Sequence, residues 1–294
     1  MPEDGLHSWI GKEKDRITEA FGQPERIDPT GYGYEWWIYS ENKEKYMQIG
    51  IAHGKAVTLL AIGENLPTTP FVVGKISTEV FKHFPIESNI PFTVDGNYYR
   101  FEIGEGELQI RPLIKVSEEL AIQLYFDRYT QQLAGVRYLT PEVLVQQRPY
   151  SIVYRGELED SSLTREEWEN VEAGEEQQIF DITNILRSRF GLDPLVWNIN
   201  VADVAFEHSK DMSVNSYFSH SSPTAGELAD RLKQGKVSYV QAGENIAAKY
   251  PDAAAAVMGW LNSIGHREAM LNDAYTDIGV GVYQKYYTQN FIKP

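Results

Sequence analysis

Apolar residues recur at helical spacing through the second half of the chain and at strand spacing through much of the first. From Glu176 to Arg189, the positions Ile179, Ile182, Leu186 and then Phe190 share one stripe, and Gly191 closes the pattern. That spacing predicts an amphipathic helix with a glycine stop. Residues 200–213 repeat the stripe with Val201, Val204, Ala205, His208 and Met212. An alanine-rich stretch from Asp252 to Ile264 follows, with Pro251 and Asp252 as start signals and Gly265 as the stop. Two glycine-punctuated runs, Ile278 to Tyr283 and Tyr286 to Phe291, read as strands. Helices flanking a small sheet predict an α/β/α sandwich over residues 175–294.

The first half carries an internal echo. Gly11-Lys12, Ile17 and Phe21-Gly22 recur as Gly74-Lys75, Val80 and Phe84-Pro85, an offset of 63 residues. Gly33-Tyr34-Glu35-Trp36-Trp37-Ile38 is echoed by Gly96-Asn97-Tyr98-Tyr99-Arg100-Phe101, and Tyr46-Met47-Gln48-Ile49 by Glu107-Leu108-Gln109-Ile110. Each unit reads as a short amphipathic helix followed by aromatic-rich strands. Two such units predict an α+β domain over residues 1–154, so the whole chain is of the α+β class. The aromatic run Tyr32, Tyr34, Trp36, Trp37 and Tyr39 could bind carbohydrate or peptide. Its plainer reading is the core and surface positions of a strand, because aromatics are good strand formers.

Between the halves, residues 155–174 are acidic and poor in large apolar side chains, from Gly156-Glu157-Leu158-Glu159-Asp160-Ser161-Ser162 to Glu172-Ala173-Gly174. That composition predicts an exposed linker. Thr164 before Arg165-Glu166-Glu167-Trp168 is a capping-box signal for a short helix within it.

Charge and cysteine usage narrow the function. A formal net charge of −15 excludes the basic footprint that nucleic acid requires. The chain has no cysteine, so no disulfide holds it. No apolar stretch approaches the roughly 18 residues of a membrane-spanning segment. The chain starts Met1-Pro2-Glu3-Asp4-Gly5, without a basic and apolar leader.

Three polar clusters stand out in the last 120 or so residues: Tyr217-Phe218-Ser219-His220, Gly243-Glu244-Asn245-Ile246-Ala247, and Trp260-Leu261-Asn262-Ser263-Ile264-Gly265-His266-Arg267. Each lies at the edge of a helix-like segment, where the chain turns and polar groups can converge on a cleft. His220 precedes the turn signal Ser221-Ser222-Pro223. Its neutral imidazole could hold a divalent metal, and a surface histidine is the plainer alternative. Glu244 could orient a histidine or a metal-bound water, or satisfy buried backbone donors in its loop. Arg267, next to His266, could pair with an acid or cap a helix end. His208 sits on an apolar stripe and reads as a core histidine held by a hydrogen bond. Ser219, Ser221 and Ser222 lack the glycines of a nucleophile elbow.

In this order the clusters resemble the signature of the CAP superfamily (cysteine-rich secretory proteins, antigen 5 and pathogenesis-related 1) in its bacterial branch. Asn184-Ile185-Leu186-Arg187, Leu192-Asp193-Pro194-Leu195, His208-Ser209-Lys210-Asp211-Met212 and Ile278-Gly279-Val280-Gly281-Val282 extend the likeness. Residues 1–154 resemble the CAP-associated N-terminal domain of bacterial exported proteins. The resemblance implies a leader outside this sequence and a place outside the cell or at its surface. It implies a cleft lined by His220, Glu244, Asn245, Ser263 and His266, with His220 and His266 as the pair able to hold zinc or another divalent cation. Cleft-bearing eukaryotic members carry a second glutamate where this chain has Ser263, which weakens two-carboxylate acid/base chemistry. The expected function is therefore non-catalytic binding of a small hydrophobic molecule, a cell-wall component or a protein. The alternative is a peptidase-like hydrolase using His220, Glu244 and His266.

Overall fold

Strand pairing and helix caps account for most of the described chain. The computed structural model describes residues 1–2, 4–82, 84, 86–158 and 162–294. Pro85 of the repeat and residues 159–161 of the acidic run lie outside the described residues. The chain divides into two compact units, Met1–Leu163 and Thr164–Pro294.

In the first unit, helix α1 (Lys14–Phe21) leads to strands β1 (Arg26–Pro29), β2 (Glu35–Tyr39), β3 (Met47–Ala52) and β4 (Lys55–Ala61). Then come α2 (Ser77–Val80), β5 (Asn89–Val94), β6 (Asn97–Glu102), α3 (Glu105–Ile110), β7 (Leu113–Lys115), β8 (Ala121–Asp127), β9 (Gln132–Leu139), α4 (Pro141–Gln147) and β10 (Ser151–Arg155). A seven-stranded sheet runs β1-β2-β3-β4-β9-β8-β7, and a second, three-stranded sheet runs β10-β6-β5. Two of the three sequence echoes keep their element type: α1 with α2, and β2 with β6. The third does not, because Met47–Ala52 is a strand and Glu105–Ile110 a helix. In the large sheet, the meander β2-β3-β4 meets the meander β9-β8-β7 through β4 and β9, which pair antiparallel. The aromatic run does not alternate, since Tyr34, Trp36, Trp37 and Tyr39 are all buried. Both faces of β2 are covered, which removes these rings from any surface site.

The second unit opens with α5 (Arg165–Arg189), the longest helix described, followed by β11 (Val196–Trp197) and α6 (Ile199–Val214). After them come α7 (Leu228–Gln234), β12 (Gln241–Ala248), α8 (Ala253–Leu261), α9 (Ile264–Met270), β13 (Asp277–Tyr283) and β14 (Tyr286–Lys293). The sheet order is β11-β13-β14-β12, with β12 at an edge. Thr164 and Glu167 form the capping box at the start of α5. The acidic segment expected as a linker is therefore helical from Arg165 onward. Glu172 is buried because Arg165 clamps its two oxygens at 2.9 and 2.7 Å and the Gln284 N–H donates to it at 2.8 Å.

Layering follows from the strand register. Glu244 pairs with Asn290, which pairs with Gly279, so these three share one face. A Cβ on Gly279 or Gly281 would fall about 2 Å from the α6 backbone, so α6 lies directly on that face. Asn245, Gln289 and Val280 share the other face, where Gln289 Nε2 donates to Thr183 Oγ1 of α5 at 2.7 Å. Helix α8 packs beside α5. The sheet between α6 and α5/α8 is the α/β/α sandwich that the periodicity predicts.

The alanine-rich helix departs in one respect. Asp252 caps α8 through the Ala255 N–H at 2.9 Å, as its position suggests. But α8 ends at Leu261, and Gly265 lies inside α9 rather than at a stop. His266 consequently sits in the first turn of a new helix.

Candidate functional site

Three chain segments meet beside the edge strand β12. Glu244 projects from its α6 face with a side chain 3% exposed. One carboxylate oxygen accepts from Arg231 Nη2 of α7 at 2.5 Å, and the other lies 2.9 Å from His220 Nδ1. His220 is in the loop between α6 and α7, with its side chain 53% exposed. With Nδ1 turned to Glu244, its other ring nitrogen is the one left for a ligand. His266 faces it, the two ring centroids 6.4 Å apart. Burial lowers the pKa of His266, and the neighbouring His220 lowers it further, so this imidazole is neutral near pH 7 and can act as a donor atom.

The His220 loop is held from two sides. Arg231 Nη1 donates to the main-chain oxygens of His220 at 2.7 Å and Gly226 at 2.9 Å, so one guanidinium fixes both the loop and Glu244. Asp211, near the end of α6, accepts from Ser222 Oγ at 2.6 Å, Asn215 Nδ2 at 2.7 Å, Thr224 Oγ1 at 3.0 Å and the Tyr217 hydroxyl. Burial alone would raise its pKa, but these hydrogen bonds outweigh burial and the carboxyl is lowered. Beneath the loop, His208 is 1% exposed and its Nε2 lies 3.1 Å from the Ser219 oxygen. Burial lowers its pKa despite Glu244, 3.9 Å away. It is a core histidine.

Asn245 belongs to the other face. It is fully buried, and its Nδ2 donates to the His266 main-chain oxygen at 3.0 Å and to Gln289 Oε1 at 3.2 Å. It ties β12 to the start of α9. Ser263 is the residue before α9, and its hydroxyl does not cap that helix. Arg267 Nη1 donates to the Leu261 oxygen at 3.2 Å and so closes the end of α8.

Known proteins resemble this chain along its whole length. The CAP-associated N-terminal description matches residues 10–150, and that of the cysteine-rich secretory protein family matches residues 180–292. The chain is 47% identical over its full 294 residues to the uncharacterized membrane protein YlbC of Bacillus subtilis (strain 168), of which it covers 85%. The chain belongs to the CAP family.

Two solved structures are similar to this chain over its whole length. One is an extracellular protein containing an SCP domain from Bacillus anthracis str. Ames, 46% identical with a TM-score of 0.95, covering 100% of this chain and 97% of that one. The other is a cysteine-rich secretory protein from Staphylococcus aureus subsp. aureus Mu50, 27% identical with a TM-score of 0.88, covering 100% and 96%. YlbC is called a membrane protein, yet among the described residues of this chain no helix is long and apolar enough to cross a membrane.

Of the five cleft residues that the resemblance implied, the fold brings His220, Glu244 and His266 together, places Asn245 behind His266, and leaves Ser263 at a helix start. The partners of Glu244 are side chains, not the buried backbone donors that were the structural alternative. Arg231 and Asp211 were missed. Arg231 carried a readable signal: it follows Leu228 at helical spacing, and a charge on an apolar stripe needs a buried partner.

Proposed function

We propose that this bacterial CAP-domain protein is a non-catalytic binding module, working outside the cell or at its surface, whose ligand seat is the cleft at His220, Glu244 and His266. One observation carries this reading: both Glu244 oxygens are committed, one to Arg231 and one to His220. No carboxylate there remains free to act as a base, and Ser263 supplies none. The loop serines are also engaged, Ser222 Oγ with Asp211 and Ser221 Oγ with Glu227. Those contacts occupy the Glu244 carboxylate and the Ser221 and Ser222 hydroxyls, and leave the outer nitrogen of His220 as the base a peptidase-like alternative would have to use. The relative described as extracellular supports the proposed location.

The groups left to meet a ligand are the outer nitrogen of His220 and the His266 ring. They fit a loosely held, exchangeable divalent cation rather than a structural one. Among the described residues no group of three or more His, Cys, Asp or Glu side chains is disposed to hold a metal. Two imidazoles on one tetrahedral zinc place their centroids about 5 Å apart, so the 6.4 Å pair would have to close slightly. When bound, a cation would draw in a ligand's oxygen or nitrogen. Calorimetric titration with zinc tests this arm. Weak binding abolished by either His220→Ala or His266→Ala is expected, and binding unchanged in both variants overturns it. Incubation with generic peptide substrates tests the non-catalytic claim, and turnover lost in His220→Ala would overturn that claim.

A further inference from the structure

The strand that carries Glu244 has an open side. In the β13–β14 hairpin, Tyr283 and Tyr286 close a two-residue turn, which fixes which residues of β14 bond to β13 and which bond to β12. The Lys249 N–H to Lys285 oxygen bond continues the same alternation into β12. By that register Gly243, Asn245 and Ala247 turn their main chain toward β14. Ala242, Glu244 and Ile246 turn theirs outward, to the free edge.

The protein treats these outward groups unequally. The Ile246 oxygen accepts from Trp260 Nε1 at 3.0 Å, so the edge is capped there. Among the described residues, no hydrogen bond takes the outward N–H or C=O of Ala242 or Glu244. Glu244 as a residue is only half-buried although its side chain is 3% exposed, so the part that meets solvent is its main chain. Four main-chain groups, two donors and two acceptors, thus stand open beside the histidine pair.

Resting on the binding reading above, we infer that the cleft's ligand is an extended polypeptide segment that adds as a strand to the β12 edge at Ala242–Glu244. An extended main chain is the complement of such a row, whereas a small hydrophobic molecule would leave all four groups unpaired. Alternate side chains of the segment fall on the two faces of the sheet, Glu244 and His220 on one, Asn245 and the His266 main chain on the other. The Trp260 indole shows, at Ile246, the kind of donor that the segment supplies at the next two outward positions.

The test uses the full chain and a pool of acetylated, amidated random octapeptides, with enriched sequences measured by fluorescence polarisation. Ala242→Pro deletes an outward N–H and no ladder bond, so it should fold with an unchanged melting temperature. It should weaken peptide binding about tenfold or more, the scale of a lost hydrogen bond and a blocked edge. N-methylating the peptide should weaken binding at every second position only, a period of two that needs no protein variant. Binding indifferent to both changes overturns the strand addition. If His220→Ala still weakens that peptide, the cleft reading survives. A pool with no enriched peptide also overturns the inference, and the zinc titration then judges the cleft on its own.

Discussion

Glu244→Ala should destabilise the C-terminal unit by about 3–5 kcal/mol, because it strands a buried cation. The Arg231 side chain is 5% exposed and Glu244 is its counter-charge, 2.5 Å away. The other Arg231 contacts, to the His220 and Gly226 oxygens, are carbonyl dipoles and do not neutralise it. Glu244→Gln keeps an acceptor but loses the charge, so its cost should be about 1.5–3 kcal/mol, the range for a hydrogen bond to a charged group. Differential scanning calorimetry of the full chain reads the transition of this unit. At about 4 °C per kcal/mol for a unit of this size, Glu244→Ala should melt about 12–20 °C lower. Pairing Glu244→Leu with Arg231→Met should recover most of the loss, since an apolar replacement removes both charges. A Glu244→Ala melting temperature within about 2 °C of the parent would refute the reasoning. If zinc affinity vanished in that same variant, Glu244 would be a ligand-site residue and not a structural anchor.

Gly281→Ala places a Cβ 1.9 Å from the Phe206 nitrogen, so α6 must lift off the sheet, and a loss of at least about 3 kcal/mol is expected in denaturant melts. Burial raises Glu176 to about 7, against the Val282 N–H that favours its charged form. Its folded pKa thus exceeds the unfolded one, so its contribution is full below about pH 4.5 and lost as pH rises through about 7. Between pH 5 and 8 this should cost the parent up to about 3 kcal/mol relative to Glu176→Gln, and parallel stability curves for the two would count against it. Asp211→Asn replaces a carboxylate facing four donors. It should speed hydrogen exchange across residues 215–226 and lower stability by about 1–3 kcal/mol, and unchanged exchange would remove Asp211 as the loop's anchor.

Features set by local chemistry were legible in the sequence. The Asp252 cap, the Thr164–Glu167 capping box and the apolar stripe that buries His208 all depend on neighbours within a turn or two. Gly265 misled because a glycine near a helix end fits a stop or an early helical position equally well, and Asn262 makes the break instead. The acidic stretch misled because its charge density suggests solvent. Glu172 finds its partners in Arg165 and in the Gln284 N–H, which no local pattern announces. The echo at Glu107–Ile110 failed for the opposite reason, a local cap that overrides the strand spacing. The spacing of Leu108 and Ile110 suits a strand, but Glu107 Oε2 bonds back to the Gly104 N–H and starts a helix.

The cluster of His220, Glu244 and His266 shows what motif order reveals and what it leaves out. His220, Glu244 and His266 could be placed together from their sequence clusters, but not assigned roles, because the roles depend on Arg231. With its guanidinium on one oxygen of Glu244 and His220 on the other, the carboxylate is spent inside the protein. That makes it a fixture that aims an imidazole outward and steadies the loop carrying it. What then faces solvent is one nitrogen of the His220 ring, a second ring kept neutral by burial, and the bare main chain of an edge strand. On the binding reading proposed above, such a surface selects by hydrogen-bond pattern. For this reason an extended main chain suits the site even though the protein as a whole carries a net charge of −15.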